Sequence, residues 1–397
     1  MSRGITGFQR VRLSLMLAAR KLNQSQLSVL VGVSQATVSK WLSGQQSPEP
    51  ETLHRLGLVL NVSPEWFTRV PLAQTIQGMF RSNASAHVAA RAMLQARADL
   101  LQDVAHVFSE FIDYPELRIP IRTFSDPGQI TRQDIEDAAG ECRELWRLGR
   151  AAIPDVVLAV EGAGVLVARE DTGVAQIEGV SSWSEALGRP VIVLSADKDN
   201  WYRSRFDLSH ELGHLILHRY IERRTDVDRY KLLEKQAHYF AGAFLLPAES
   251  FALDVRTPVS LDDLLLLKKR WGVSVGAIIM RLRALEIIDA DASQALFKRR
   301  SARWGMKSEP GDNDRIPEKP RLLKRTIDLL VEEGILRLNG VSEYIGLSQM
   351  DIEMLAALPE NYLSGSANVV QLSRPRLKVA PDDSVVEQSQ VLPFRQA

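Results

Sequence analysis

The chain of 397 residues is 45% apolar and 25% charged, a make-up that suits two or three globular domains and excludes fibrous or low-complexity classes. Its 49 Lys/Arg balance 49 Asp/Glu, so any nucleic-acid binding has to come from a local patch rather than from overall charge. The lone Cys142 rules out an intramolecular disulfide, fits a reducing cytoplasm, reads as a small buried residue, and leaves a metal site to His, Asp and Glu.

In chain order, "RVRLSLMLAARK" (10–21) resembles an export signal only superficially. Its apolar run is about seven residues, with basic residues on both sides, and no stretch reaches the roughly 20 apolar residues of a membrane span. A cytoplasmic protein is expected. Residues 1–69 carry eight Lys/Arg against three Asp/Glu, a net charge of +5. Within them, "LNQSQLSVLVGVSQATVSKWLSG" (22–44) predicts a helix, a turn at Gly32 and a second helix capped by Ser34. Leu27, Leu30, Val31 and Val33 are expected to face a core joined by Val38, Trp41 and Leu42. The second helix then presents Gln35, Ala36, Thr37, Ser39 and Lys40. An amide there can pair with adenine edges, and a hydroxyl or lysine can hold phosphate. Gln24 is placed to bind phosphate or to brace Gln35.

Residues 70–129 are expected to form a helical connector, with 3–4 spacing of apolar residues over 86–113. A second amphipathic helix starts after Thr131. Three short Val/Ile-rich runs between 164 and 196 read as strands. Then comes "RSRFDLSHELGHLILHRY" (203–220), with helical period. His210 and His214 are i and i+4, so both imidazoles leave one face, as two ligands of one ion require. Glu211 then reaches the ion's open side as a general base. His218 lies about 12 Å along the axis from His210 and cannot share that ion. Position 220, where a longer three-histidine motif would need His, is Tyr220. A third ligand is therefore sought on a later helix, where "LLEKQAHYFAGAFLLP" (232–247) offers Glu234 and His238. Two histidines with a glutamate make a hydrolytic set, which favours Glu234 and leaves His238 to hydrogen-bond a ligand. Tyr202, His218, Tyr220 and Tyr239 are candidate partners for an oxyanion. Arg203 and Arg205 either steady the carboxylates or decorate the surface. The strand "PVIVLS" (190–195) could pair with an extended substrate through its edge.

Residues 251–363 read as mostly helical, with a Gly/Pro/Asp-rich break at 308–320. "VSEYIGLSQMDIEML" (341–355) faintly resembles a second helix-turn-helix and is read as scaffold or dimerisation unit. The tail 364–397 lacks sustained period and is expected to be disordered.

Two resemblances join these readings. Residues 8–68 resemble the Cro/cI-type (XRE) helix-turn-helix family, departing from its pattern at Trp41-Leu42. That implies binding to a double-stranded DNA operator, in such folds usually as a homodimer across half-sites one helical turn apart. Residues 130–250, through "RSRFDLSHELGHLILH" and "EKQAHYFAGAFLLP", look like the ImmA/IrrE family of zinc metallopeptidases. By position this implies metal ligation by His210, His214 and Glu234 and a general base at Glu211, with one Zn²⁺ per chain. The family's usual Asn is His238 here and its usual Ala is Ser209.

The expected fold is α+β and mostly α. An all-α helix-turn-helix domain (1–69) precedes the connector (70–129), a zincin-like domain with a small sheet (130–250) and a helical C-terminal region (251–363). The implied function is a DNA-binding regulator whose peptidase cuts a helix-turn-helix repressor, or itself, in a stress or mobile-element response. The alternative is a transcription factor whose peptidase-like domain only senses a ligand or metal. The intact Glu211 favours catalysis.

Overall fold

The computed structural model describes residues 4–77, 85–174, 177–197, 199–222 and 226–365. Residues 1–365 form one compact unit, and the expected disorder of the tail falls, from residue 366 on, outside the described residues. Four helices come first: α1 (Arg10–Ala19), α2 (Gln24–Val31), α3 (Gln35–Ser43) and α4 (Pro50–Leu60). Asn23 and Gln26 close a capping box on α2, and Ser34 caps α3 through the Thr37 N–H. Gly32 makes the turn with φ 74°, a left-handed conformation that a side chain disfavours. Leu27, Val31, Val38 and Trp41 are buried as the pattern predicts. Leu30 is not. It is 55% exposed beside exposed Val29, because the α2 face that meets α3 and α4 is set by Leu27 and Val31 one turn apart.

A short strand, β1 (Ile76–Gln77), precedes the long helix α5 (Ser85–Phe108). After α6 (Arg132–Leu145, closed by a Thr131–Asp134 capping box) and α7 (Val156–Gly162) come β2 (Leu166–Glu170), β3 (Gly179–Ser184) and β4 (Arg189–Ser195). The sheet order is β1-β3-β4-β2, with β2 parallel to β4 and the other pairs antiparallel. Period-2 alternation splits the strands between two cores. Leu166, Ala168, Val180, Val191 and Val193 join one, and Val165, Val167, Ile192 and Leu194 join the other. Burial on both faces is why β4 reads as an unbroken apolar run.

The second core holds α6, α7, α8 (Trp201–Leu217), α9 (Val227–Leu245), α10 (Ala248–Asp254), α11 (Leu261–Trp271), α12 (Val275–Ala284) and α13 (Ala290–Trp304). The first holds α1–α5 and also α14 (Leu322–Glu332), α15 (Val341–Ile345) and α16 (Gln349–Leu355). The stretch 251–363, one helical region by sequence pattern, is thus divided between the two cores. Two buried carboxylates make the crossing. Glu318 accepts from the Val156 and Val157 N–H groups at the start of α7, and Glu161 from those of Arg321 and Leu322 at the start of α14. A buried ion cluster ties the first core together. Asp351 of α16 accepts from Arg20 at the end of α1 and from Arg97 of α5, and Arg97 Nε lies 3.2 Å from Glu170 of β2. Among the described residues no helix is long and apolar enough to cross a membrane.

Candidate metal centre and nucleic-acid interface

Helix α8 runs through the second core with nearly every residue after Phe206 buried. Asn200 caps it, and Gly213 lets α9 come close: a Cβ there would sit 3.1 Å from atoms of Phe240. A larger residue there would require Phe240 of α9, the helix that carries Glu234, to give by a few tenths of an ångström. The side chains of His210, His214 and Glu234 converge between the two helices. His210 Nε2 and His214 Nε2 are 3.1 Å apart; the first lies 3.4 Å from Glu234 Oε2 and the second 3.4 Å from Glu234 Oε1. Donors about 2.0–2.1 Å from a tetrahedral ion stand about 3.3–3.4 Å from one another. These spacings between donors of the three residues are of the size a zinc ion would need.

Hydrogen bonding fixes the tautomers. Gln236 faces the carbonyl of Pro127 at 2.7 Å, and a carbonyl only accepts, so the Gln236 amide nitrogen points there. Its Oε1 therefore accepts from His218 Nε2–H at 3.2 Å. That leaves His218 Nδ1 as an acceptor, 3.0 Å from His214 Nδ1, which must donate. The proton of His214 is thereby held on Nδ1, and the Nε2 lone pair is turned toward His210 and Glu234. Burial, with His214 adding to it, pushes the His218 pKa well below its ordinary value and keeps the ring neutral, as this chain of bonds requires. A lone pair and a carboxylate facing each other this closely repel unless a cation lies between them. The donor set and its spacing fit zinc.

Glu211 projects from the same turn toward β3. Its carboxyl is turned toward Ser181, its Cγ lies 3.3 Å from where a Gly179 Cβ would be, and its Oε2 has no hydrogen-bond partner among the described residues. Burial raises its pKa to about 7, against the lowering effects of His210 and the Ser181 hydroxyl. His238 is exposed, with its ring 4.3 Å from that of His210. It donates Nδ1–H to the Glu234 carbonyl at 2.7 Å, which leaves its Nε2 lone pair free.

Other expected partners lie elsewhere. Tyr202 sits at the start of α8, packed against Trp201 and under Lys268 Nζ, about 12 Å of helix rise from His210. It has no place beside the metal centre. Tyr239 leans toward Glu136 and Arg281, and Tyr220 is half exposed next to Arg219. Arg205 is neither a surface charge nor a support for the ligands: it is buried and pairs with Glu318. Arg203 reaches the Lys307 carbonyl. Gln236 and Ser181 were missed by sequence reasoning. Gln236 did leave a signal: a lone amide at helical spacing with Leu233, Ala237 and Phe240, all buried.

At the other end of the chain, Gln24, Gln35, Ala36, Ser39 and Lys40 are exposed on α2 and α3. Thr37 is half-buried, and its hydroxyl is bonded to Ser34 Oγ at 2.8 Å. Its hydroxyl thus belongs to the cap of α3. Arg10 bonds the Ser43 carbonyl at the far end of that helix.

Residues 13–67 match the family model of the helix-turn-helix, and residues 160–283 match that of the IrrE N-terminal-like domain, peptidase M78. The second match spans the sheet from β2 onward and the whole of α8 and α9. No curated protein matches the chain.

Proposed function

We propose that this chain, a helix-turn-helix DNA-binding regulator with an IrrE N-terminal-like peptidase domain, is a zinc-dependent endopeptidase that cuts a repressor-type protein or itself. The observation that carries this reading is the convergence of His210, His214 and Glu234 with a buried Glu211, its Oε2 unpartnered, beside them. His210, His214 and Glu234 would hold one Zn²⁺ per chain. A zinc ion so held supplies a water of lowered pKa and polarises a peptide carbonyl. Glu211 Oε2 is free to take a proton, and its buried surroundings favour the protonated form it would then pass to the leaving amine. His214 keeps its ligand nitrogen bare through His218 and Gln236.

The DNA-binding face is assigned to Gln24, Gln35, Ala36, Thr37, Ser39 and Lys40. Gln35 at the start of α3 is the base reader, and Lys40 is a phosphate contact. Binding as a homodimer to an operator of two half-sites follows from this type of motif. Zinc titration of the purified protein tests the assignment. One equivalent is expected to bind, and His210→Ala, His214→Ala or Glu234→Ala is expected to abolish tight binding. Full zinc content in those variants would overturn it.

A further inference from the structure

Helix α5 turns a polar face toward α1 and toward the segment that follows the helix-turn-helix. Asp99, Gln102 and Asp103 stand at i, i+3 and i+4 and share that face. With Arg12, Leu15 and Leu72 they line a cavity of about 20 Å³, room for one particle the size of a water molecule. Each of the three is held in place. Asp99 Oδ1 accepts from the N–H and the hydroxyl of Thr75, at 2.9 and 2.8 Å, and Asp103 Oδ2 accepts from Arg12 NH1 at 2.7 Å. Gln102 donates Nε2 to the Ala73 carbonyl at 3.0 Å. A carbonyl only accepts, so this bond fixes which way the amide points.

The other arm of that amide is the unusual feature. Gln102 is 1% exposed, and its Oε1 has no hydrogen-bond partner among the described residues. A buried acceptor left without a partner is costly, so something in the cavity should serve it. A water or a cation could do so, and the charges around the cavity favour the cation. Two carboxylates line it against one guanidinium, that of Arg12. Arg69 and His106 also act on Asp103, but neither lines the cavity, and Arg69 is bonded to the Tyr344 and Ile345 carbonyls. Burial raises the pKa of both carboxyls from 3.8. At Asp99 the charge of Asp103 adds to the rise, against the Thr75 bonds, and at Asp103 burial outweighs Arg12. A buried excess of negative charge is relieved by a cation and not by a neutral water. The available donors are carboxylate and amide oxygens, the set that hard cations take and that zinc does not prefer.

We propose that Asp99, Gln102 and Asp103 hold one small hard cation, of the calcium, magnesium or sodium kind, at a site separate from the metal centre of α8 and α9. Arg12 joins this site to the first helix of the DNA-binding domain, and Thr75 and Ala73 join it to the segment leading out of that domain. The ion fastens the helix-turn-helix to α5. The proposal is independent of the peptidase reading.

Melting the zinc-loaded, full-length protein in CaCl₂, MgCl₂, NaCl and choline chloride at one ionic strength tests it, since choline is too large for the cavity. At least one of the three metal cations is expected to raise the midpoint by a few degrees over choline, with a dependence that saturates. Gln102→Met keeps the shape and loses Oε1. It is expected to bind that cation at least about tenfold more weakly, the loss of one good contact. Gln102→Glu loses the same bond to Ala73 but adds a negative charge, and is expected to bind the cation more tightly than wild type. A merely structural role for Gln102 would move both variants alike. Asp99→Asn, which keeps an acceptor for Thr75, is expected to lose the response, and His210→Ala to keep it. Equal midpoints in all four salts, as a water in the cavity would give, overturn the proposal. So does a response that persists in Gln102→Met and Asp99→Asn, or one that disappears in His210→Ala.

Discussion

Replacing Gln236 by Leu keeps nearly the same volume and removes the acceptor that fixes His218. The His218 Nε2–H then faces an apolar group. An unsatisfied buried donor of this kind costs ~1–3 kcal/mol. The ring can escape that cost by moving its proton to Nδ1, but Nδ1 faces His214 Nδ1 at 3.0 Å. His214 would have to give up its own Nδ1 proton and carry it on Nε2, the atom that should bind metal. Either outcome falls on metal affinity. At ~1.4 kcal/mol per decade, zinc is expected to bind about 10–100-fold more weakly. Competition against a chromophoric chelator at constant neutral pH measures this. His218→Phe should cost a similar factor, and the double variant should cost little more than either single one, because both changes cut the same relay. Unchanged affinity in Gln236→Leu, within about twofold, would refute the tautomer argument. So would losses that simply add.

On the DNA side, Gln35→Ala is expected to cost ~1–3 kcal/mol on the preferred operator and to relax selectivity at one base pair. Lys40→Ala should weaken binding to all sequences alike and lower the salt slope by about one; both are read by fluorescence titration across salt concentrations. Asp351→Asn should destabilise the folded chain by ~3–5 kcal/mol, because Arg20 and Arg97 lose their shared buried carboxylate. Burial opposes the charge of Asp351, but the Arg20 bond, both guanidinium charges and Ser348 outweigh it and hold its pKa below the ordinary 3.8. A carboxyl depressed in this way contributes its full stability above 3.8 and loses it as pH falls through the lower folded value. Urea midpoints measured down into that acid range should therefore drop more steeply for wild type than for Asp351→Asn.

The parts of this molecule that sequence exposes best are those fixed by short-range periodicity. Residues four apart on α8 had to leave one face, so His210 and His214 were legible as a pair, and Gly32 with Ser34 marked the turn between α2 and α3. The strands β2–β4 were legible from their Val/Ile runs. Periodicity names a face but not what lies against it. That is why Leu30 looked like core, why Arg205 was left between a support for the carboxylates and a surface charge, and why Tyr202 was sought at a metal centre two turns away. The return of α14–α16 to the first core depends on Asp351 meeting Arg20 and Arg97, pairs 331 and 254 residues apart, which local pattern cannot show. Gln236 is the instructive case. Its amide was visible on a buried helix face, but its purpose depends on the Pro127 carbonyl 109 residues earlier.

Glu211 serves chemistry rather than structure if its replacement removes cleavage and leaves metal binding intact. Zinc-loaded wild type and zinc-loaded Glu211→Gln, each incubated alone and with a helix-turn-helix repressor, are compared by intact-protein mass spectrometry. Equal zinc content is expected in both, with new cleavage products from wild type only and none from the variant. Identical product masses from the two proteins, or no cleavage by either while both control the operator equally, would contradict it and leave a domain that senses without cutting.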